Sequence, residues 1–170
     1  MSKGKIALFT EDMYNDLEFW VPYYRLIEEG YEVVVVGTGR QAVFNSKFGV
    51  PVKADLTSDQ VNAGEFAAVI IPGGYAPDKM RIDQGMLRIV RELHSSGRVV
   101  AAICHAGWVL VSAGIIKGKK ATACAMIKDD LVNAGAEFID QAVVVDGNLI
   151  TSRVPDDLPD FCREIIKKLG

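Results

Sequence analysis

The chain alternates short apolar runs with segments in which apolar residues recur every three or four positions. Apolar runs typical of buried β-strands occupy residues 5–9, 31–36, 67–71 and 99–103. Helical spacing occupies residues 16–29, 84–95, 105–113 and 128–134. Strands that alternate with helices favour a parallel sheet with right-handed crossovers and helices on both faces. We therefore predict an α/β fold, formed by residues 1–170 as a single domain.

Shorter elements are predicted between and after these. Residues 121–124 form a short strand, and residues 39–55, the least regular stretch, are compatible with a small hairpin. Asp146-Gly147 separates the apolar runs 142–145 and 148–151, which predicts a β-hairpin. Asp156 or Asp157 is the expected cap of a last helix that ends at Leu169.

The predicted sheet indicates where a site would lie. In open α/β sheets, ligands bind beyond the carboxyl ends of the strands, beside a switch point in strand order. Three segments leave predicted strands there: residues 10–18, 72–78 and 104–108. We expect the functional side chains to come from these segments.

Charge and composition exclude several classes of partner. The net charge is −3 and no long basic run occurs, so neither nucleic acid nor an anionic membrane is an expected partner. The N-terminal residues do not read as a signal peptide, and no apolar run is long enough to cross a membrane, so we expect a cytoplasmic protein. The three cysteines are too few and too scattered for a disulfide framework or a zinc spacing, and no metal or other cofactor is predicted.

Cys104 is the first candidate for chemistry. It follows a buried strand and opens a helix, where unpaired N–H groups and the helix dipole favour a thiolate. A core cysteine is the plainer alternative. His105 is the available base, because His94 lies at the polar end of a helix and no histidine follows His105. The missing downstream histidine excludes an amidotransferase-type triad.

Glu18 is the second candidate. Its negative charge complements the dipole at a helix N-terminus, and this role alone would explain an acidic residue here. Its apolar neighbours nevertheless indicate partial burial. Pro22 cannot donate to the Glu18 carbonyl, so an irregular or kinked helix start is expected. A buried carboxyl and a thiolate cannot both be charged side by side, so one of the two would hold a proton. A protonated Glu18 could donate a hydrogen bond to the sulfur of Cys104.

Gly73 and Gly74 follow a predicted strand and allow a ligand close to the backbone. Their N–H groups could form an oxyanion hole together with that of His105, although a plain turn explains the pair equally well. Cys124 and Cys162 would both be interpreted as core residues from their immediate surroundings.

Four motifs in this order resemble the ThiJ/PfpI family. They are AAICHAG (101–107), IPGGYAPD (71–78), IKDDLVNAG (127–135) and DGNLITSR (146–153). The chain is most similar to the PfpI-type intracellular cysteine proteases, a branch of the class I glutamine amidotransferase-like superfamily. The resemblance implies a flavodoxin-like three-layer sandwich with a cysteine nucleophile elbow.

The resemblance also assigns roles to particular residues. It implies that Cys104 is the nucleophile, with His105 beside it and Glu18 facing the elbow, and that the Gly73 and Gly74 amides bind substrate. A glutamate from a neighbouring subunit completes the triad in PfpI-type proteases. That position carries the shorter Asp78 here. Members of this branch form dimers or trimers of dimers, so the resemblance also implies a homo-oligomer. A family tyrosine or histidine falls on Cys124, which implies a second thiol near the nucleophile.

Three functions are compatible with these residues. The first is a cysteine hydrolase of the PfpI type, in which Cys104 attacks a peptide carbonyl. The second is a glyoxalase or deglycase, in which Cys104 adds to a small reactive carbonyl compound and Glu18 moves the proton. The third is a redox sensor or stress chaperone, in which Cys104 is oxidised or pairs with Cys124.

Overall fold

A central sheet of seven strands organises the computed structural model, which describes residues 2–170. The strands are β1 (Lys5–Thr10), β2 (Glu32–Gly37), β3 (Val43–Asn45), β4 (Pro51–Lys53), β5 (Leu56–Thr57), β6 (Phe66–Ile71), β7 (Val99–Ile103), β8 (Lys120–Ala121), β9 (Glu137–Phe138), β10 (Val143–Asp146) and β11 (Leu149–Ser152). The α-helices are α1 (Asp16–Glu28), α2 (Ala76–Met80), α3 (Gln84–Ser95), α4 (Gly107–Ala113), α5 (Lys128–Asn133) and α6 (Leu158–Leu169). The predicted alternation of strands and helices is confirmed.

The central sheet has the strand order β10-β11-β7-β6-β1-β2-β5. Its neighbouring strands are parallel except for the β10–β11 hairpin, which turns at Asp146-Gly147 as predicted. The crossovers from β1 to β2 and from β6 to β7 run in opposite directions along the sheet. Right-handed crossovers therefore place α1 and α3 on opposite faces. The result is the predicted flavodoxin-like sandwich.

The core lies on both faces of this sheet. All five residues of β7 are buried, as are Ile6 to Thr10 of β1, because each strand is covered by helices on both sides. On one face α1 packs against α6, and on the other α3 packs against α4. Among residues 2–170, no helix is long and apolar enough to cross a membrane.

Three local predictions need correction. The predicted strand 121–124 is only Lys120–Ala121 and pairs with β9 outside the central sheet, because the Thr122 N–H donates instead to the Thr151 hydroxyl. The predicted helix 105–113 begins as a one-turn 3-10 helix, Cys104–Ala106. Asp157 precedes α6 but does not cap it, since its carboxylate accepts hydrogen bonds from Arg153.

Two further local predictions concern the segments beside the sheet edge. The hairpin in 39–55 is confirmed as β3 and β4, and its turn lies against the loop after β1, where the Lys47 N–H donates to the Tyr14 carbonyl. Helix α1 starts regularly, because the Asn15 side chain accepts hydrogen bonds from the N–H groups of Leu17 and Glu18. Pro22 lies inside this helix without ending it.

Candidate active site

Cys104 occupies a sharp turn between a strand and a helix. Strand β7 ends at Ile103, and the 3-10 turn that leads into α4 begins at the next residue. Cys104 has a φ of 61°, in the left-handed region that residues other than glycine rarely adopt. Its side chain is half-buried at the carboxyl edge of the sheet. This is the nucleophile elbow predicted from the sequence.

Three nucleophilic or basic atoms meet at this elbow. The Nδ1 atom of His105 lies 3.4 Å from the Sγ of Cys104 and 3.4 Å from the Sγ of Cys124. All three atoms lie within 4.8 Å of one another. The neighbourhood of Cys104 and Cys124, implied only by the family resemblance, is therefore present in the structure.

The two thiols ionise as a pair. Their contact raises the pKa of Cys104 and lowers that of Cys124, because the second proton is held more tightly after the first is lost. Burial adds to the increase at Cys104. The helix N-terminus led us to expect a lowered pKa at Cys104, and that expectation is wrong. Contact with Cys104 also raises the pKa of His105, so the imidazole is a stronger base than usual.

Glu18 is fully buried beside Cys104. Its Oε2 accepts a hydrogen bond of 2.7 Å from the Gly73 N–H, and its Oε1 has no partner among residues 2–170. Burial, followed by the nearby Cys104, raises the pKa of Glu18 to about 9. Glu18 is therefore a neutral carboxylic acid at neutral pH.

The Gly73-Gly74 loop supports this arrangement. A Cβ on Gly73 would lie 2.5 Å from the Glu18 Oε2 and 2.8 Å from the Cys104 Cβ, so only glycine fits between them. The Gly73 amide is engaged by Glu18. The Gly74 N–H has no hydrogen-bond partner in the described chain, and the His105 N–H lies in the first turn of a helix, where such groups are unpaired. These two amides remain available to an oxyanion.

Asp78 is not part of the cluster of Cys104, His105 and Cys124. It is exposed on α2, and within residues 2–170 no hydrogen bond joins its carboxylate to His105. A role for Asp78 in orienting His105 requires a second copy of the chain and stays a prediction.

Several neighbours of His105 were not singled out from the sequence. The rings of Tyr75 and Trp108 lie 6.3 Å and 5.1 Å from the imidazole, measured between centroids. Lys47 extends from the β3–β4 hairpin to within 5.0 Å of the Tyr75 ring centroid. Trp108 follows His105 by about one helical turn, a spacing that could have indicated contact, but no sequence pattern connects Lys47 to the site.

A cavity of about 550 Å³ adjoins Cys124. Its walls combine an aromatic ring with cationic and acidic side chains, and they include Cys124, Lys128, Phe138, Asp140 and Arg153. The Arg153 guanidinium is neutralised by Asp140 and Asp157, whereas the Lys128 ammonium lies 5.7 Å from the Phe138 ring centroid. The cavity has room for a polar substituent of a small substrate.

The buried acid makes stability depend on pH. We expect the free energy of unfolding to fall as the pH rises from about 6 to about 8, by about 1 kcal/mol per pH unit. In this window unfolded Glu18 has lost its proton, whereas folded Glu18, with a pKa of about 9, still holds it. The stabilisation is thus complete below the ordinary carboxyl pKa and is lost as the pH rises through 9.

Urea denaturation at several pH values tests this expectation. Glu18→Gln keeps an acceptor for the Gly73 N–H but cannot ionise, so its stability should vary much less over the same window. Equal pH slopes for the two proteins would contradict the assignment of a neutral Glu18.

Comparison with known proteins places this site in context. The DJ-1/PfpI family model matches residues 4–168. Deglycases of Pyrococcus horikoshii and Pyrococcus furiosus, the second named PfpI, are 45% and 44% identical over 165 residues, which cover 97% of this chain and 99% of each relative. A Bacillus subtilis protein whose name suggests a cysteine protease is 39% identical, and the match covers 99% of both chains.

A solved structure extends the likeness to three dimensions. A two-domain protein of Anabaena variabilis, with DJ-1/ThiJ/PfpI-like and ferritin-like domains, matches with a TM-score of 0.95 and 44% identity. The match covers 98% of this chain, which spans 50% of the length of that protein. The family model covers every residue of the candidate site, and full-length relatives share more than two fifths of their residues with this chain. The chain belongs to the DJ-1/PfpI family.

Proposed function

We propose that the chain is a cysteine-dependent enzyme that acts on small reactive carbonyl compounds, namely 2-oxoaldehydes and their adducts with amines. The observation that carries this proposal is the neutral, buried Glu18 beside Cys104, because carbonyl chemistry at a thiol needs a proton donor that can later act as a base. The deglycase names of the two Pyrococcus relatives support the same reaction class.

The first step is addition of sulfur to the aldehyde. His105, 3.4 Å from the Cys104 sulfur, accepts the thiol proton as the S–C bond forms. The carbonyl oxygen takes a proton from Glu18 and becomes the hydroxyl of a hemithioacetal. The free amides of Gly74 and His105 stabilise the charge that develops on this oxygen.

The second step moves a proton between two carbon atoms. Glu18, now a carboxylate, removes the proton from the carbon that carries sulfur and returns it to the neighbouring carbonyl carbon, while the hydroxyl proton passes to the oxygen of that second carbon. The hemithioacetal thereby isomerises to a thioester of a 2-hydroxy acid. Water then cleaves the thioester, which restores the thiol and releases the acid. The net reaction adds one water to a 2-oxoaldehyde, and an amine adduct would release its amine when sulfur attacks.

A peptide hydrolase is the second candidate function. The unpaired Gly74 amide at the elbow favours it, since an oxyanion hole serves acyl transfer as well. The Bacillus subtilis relative supports the same reading. This function needs a carboxylate to orient His105, and we propose that Asp78 of a neighbouring copy in a homo-oligomer would supply it.

A comparison of two acidic residues separates the candidates. We expect Glu18→Gln to lower kcat/KM for methylglyoxal by about 10²–10⁴-fold, because it removes both the acid and the base. Asp78→Asn should stay close to the wild-type rate, because exposed Asp78 has no part in this reaction. Formation of the 2-hydroxy acid is the measurement.

Fluorogenic peptides provide the competing assay. Peptide cleavage that is lost in Asp78→Asn, together with no turnover of methylglyoxal by the wild type, would replace our proposal with the hydrolase. A Glu18→Gln variant as active on methylglyoxal as the wild type would also contradict it.

A further inference from the structure

The fold assembles a set of soft metal ligands that no spacing in the sequence reveals. Cys104, His105 and Cys124 each offer one ligand atom, and the three atoms lie within 4.8 Å of one another. We propose that these residues bind one thiophilic cation, Zn²⁺, through the two sulfurs and the imidazole Nδ1. Thiolates and imidazole are the ligands that zinc prefers in proteins.

The distances fit a tetrahedral zinc site. Zn–S bonds of about 2.3 Å and a Zn–N bond of about 2.0 Å, at the tetrahedral angle, place sulfur and nitrogen about 3.5 Å apart. The Nδ1 of His105 lies 3.4 Å from each sulfur. The same bond lengths place two sulfurs about 3.8 Å apart, within the 4.8 Å span of the cluster. Three ligands are thus arranged with little need for movement.

Glu18 supplies an independent indication of a ligand. Its side chain is fully buried, and its Oε1 has no hydrogen-bond partner among residues 2–170, although buried carboxyl oxygens are nearly always satisfied. The carboxyl lies beside Cys104, since both would contact a Cβ built on Gly73. A cation at the thiols would lie beside this carboxyl and give its unpartnered oxygen a group to contact. Glu18, or a water that it orients, would then complete the fourth position.

The site also has a way in from solvent. Cys124 lines the cavity of about 550 Å³ described above, and Cys104 is half-buried rather than sealed in the core. Binding of Zn²⁺ to two thiols releases two protons to solvent, so the affinity rises with pH. The bound cation would occupy the Cys104 sulfur and reversibly block its attack on a carbonyl. Only this inhibition rests on the proposed function; the binding does not.

Metal binding to the reduced, full-length protein tests the inference directly. We expect one Zn²⁺ per chain in competition with a chromophoric chelator. Co²⁺ at the same site should give the visible bands of tetrahedral cobalt and the near-ultraviolet bands of thiolate-to-metal charge transfer. Cys124→Ser should weaken Zn²⁺ binding roughly 100-fold or more and reduce the charge-transfer intensity, because one thiolate is lost.

Matched variants separate this site from other thiols. Cys162→Ser removes a buried cysteine on α6 that is not part of the cluster, and it should leave affinity and spectrum unchanged. His105→Ala should weaken metal binding, whereas the near-ultraviolet charge-transfer bands should persist because both thiolates remain. Absence of stoichiometric Zn²⁺ binding, or an equal loss of Zn²⁺ affinity in Cys124→Ser and Cys162→Ser, would overturn the proposal. Circular dichroism of each variant shows that the comparison is made on folded protein.

Discussion

Replacement of Cys104 by serine is expected to lower turnover of methylglyoxal by roughly 10⁴-fold or more. The serine oxygen fits the same half-buried elbow but loses its proton much less readily than a thiol. The contact with His105 serves to deprotonate the sulfur, and it does not compensate for a hydroxyl. Measurement of 2-hydroxy acid formation at saturating substrate, with folding checked by thermal unfolding, gives the comparison.

Cys162→Ser is the matched control for this experiment. Cys162 is 5% exposed on α6 and burial raises its pKa to about 11. Unlike Cys104, it has no histidine in hydrogen-bond contact among residues 2–170, so its thiol lacks a base. The control should keep the wild-type rate, even if the hydroxyl lowers the stability of the core. A Cys104→Ser enzyme that retained a tenth of the wild-type rate would show that another group carries the reaction.

Gly74→Ala is expected to destabilise the fold by about 3–5 kcal/mol and to abolish activity with it. Gly74 has a φ of 80°, and a Cβ there would lie 2.6 Å from the Asn15 amide nitrogen and still closer to the Met13 carbonyl oxygen. Backbone atoms cannot move aside as a flexible side chain can. The loop after β6 would have to separate from the loop after β1, which is held by the hydrogen bond from the Tyr75 N–H to the Met13 carbonyl.

Gly97→Ala separates the two causes of this effect. Gly97 has nearly the same φ, 76°, but a Cβ there would have no atom within 4 Å. It should therefore report the conformational cost alone, about 1–2 kcal/mol. Urea denaturation of both variants measures the difference. Equal losses would show that the close approach of the two loops contributes nothing to stability.

Local signals explain where the sequence predicted the fold well. The bounds of α3 agree with the prediction, because Asp83 accepts a hydrogen bond from the Met86 N–H at its start and Gly97 follows its end. The start of α4 does not agree, since no local pattern shows that Cys104 is left-handed. The strand predicted at 121–124 is shortened by a hydrogen bond between Thr122 and Thr151, which are far apart in the chain.

The site shows the same difference between local signals and contacts of residues that are far apart in the chain. Cys104 and His105 could be chosen from a strand that meets a helix, and Glu18 from a carboxyl among apolar neighbours. The bond between Glu18 and the Gly73 amide joins residues from different loops, so no spacing predicts it. The position of Cys124 depends on how the segment after β8 packs on the elbow, and only the family resemblance pointed there. Whether Asp78 contributes depends on a second copy of the chain.

The left-handed backbone of Cys104 has a consequence for engineering. A side chain in that conformation costs about 1–2 kcal/mol relative to glycine, so the reactive residue slightly lowers the free energy of unfolding. A screen for heat resistance alone would therefore favour variants that relax this position, and they would unfold at a somewhat higher temperature while losing their chemistry. Selection for thermostability in this protein should be coupled from the first round to an assay that reports the thiol.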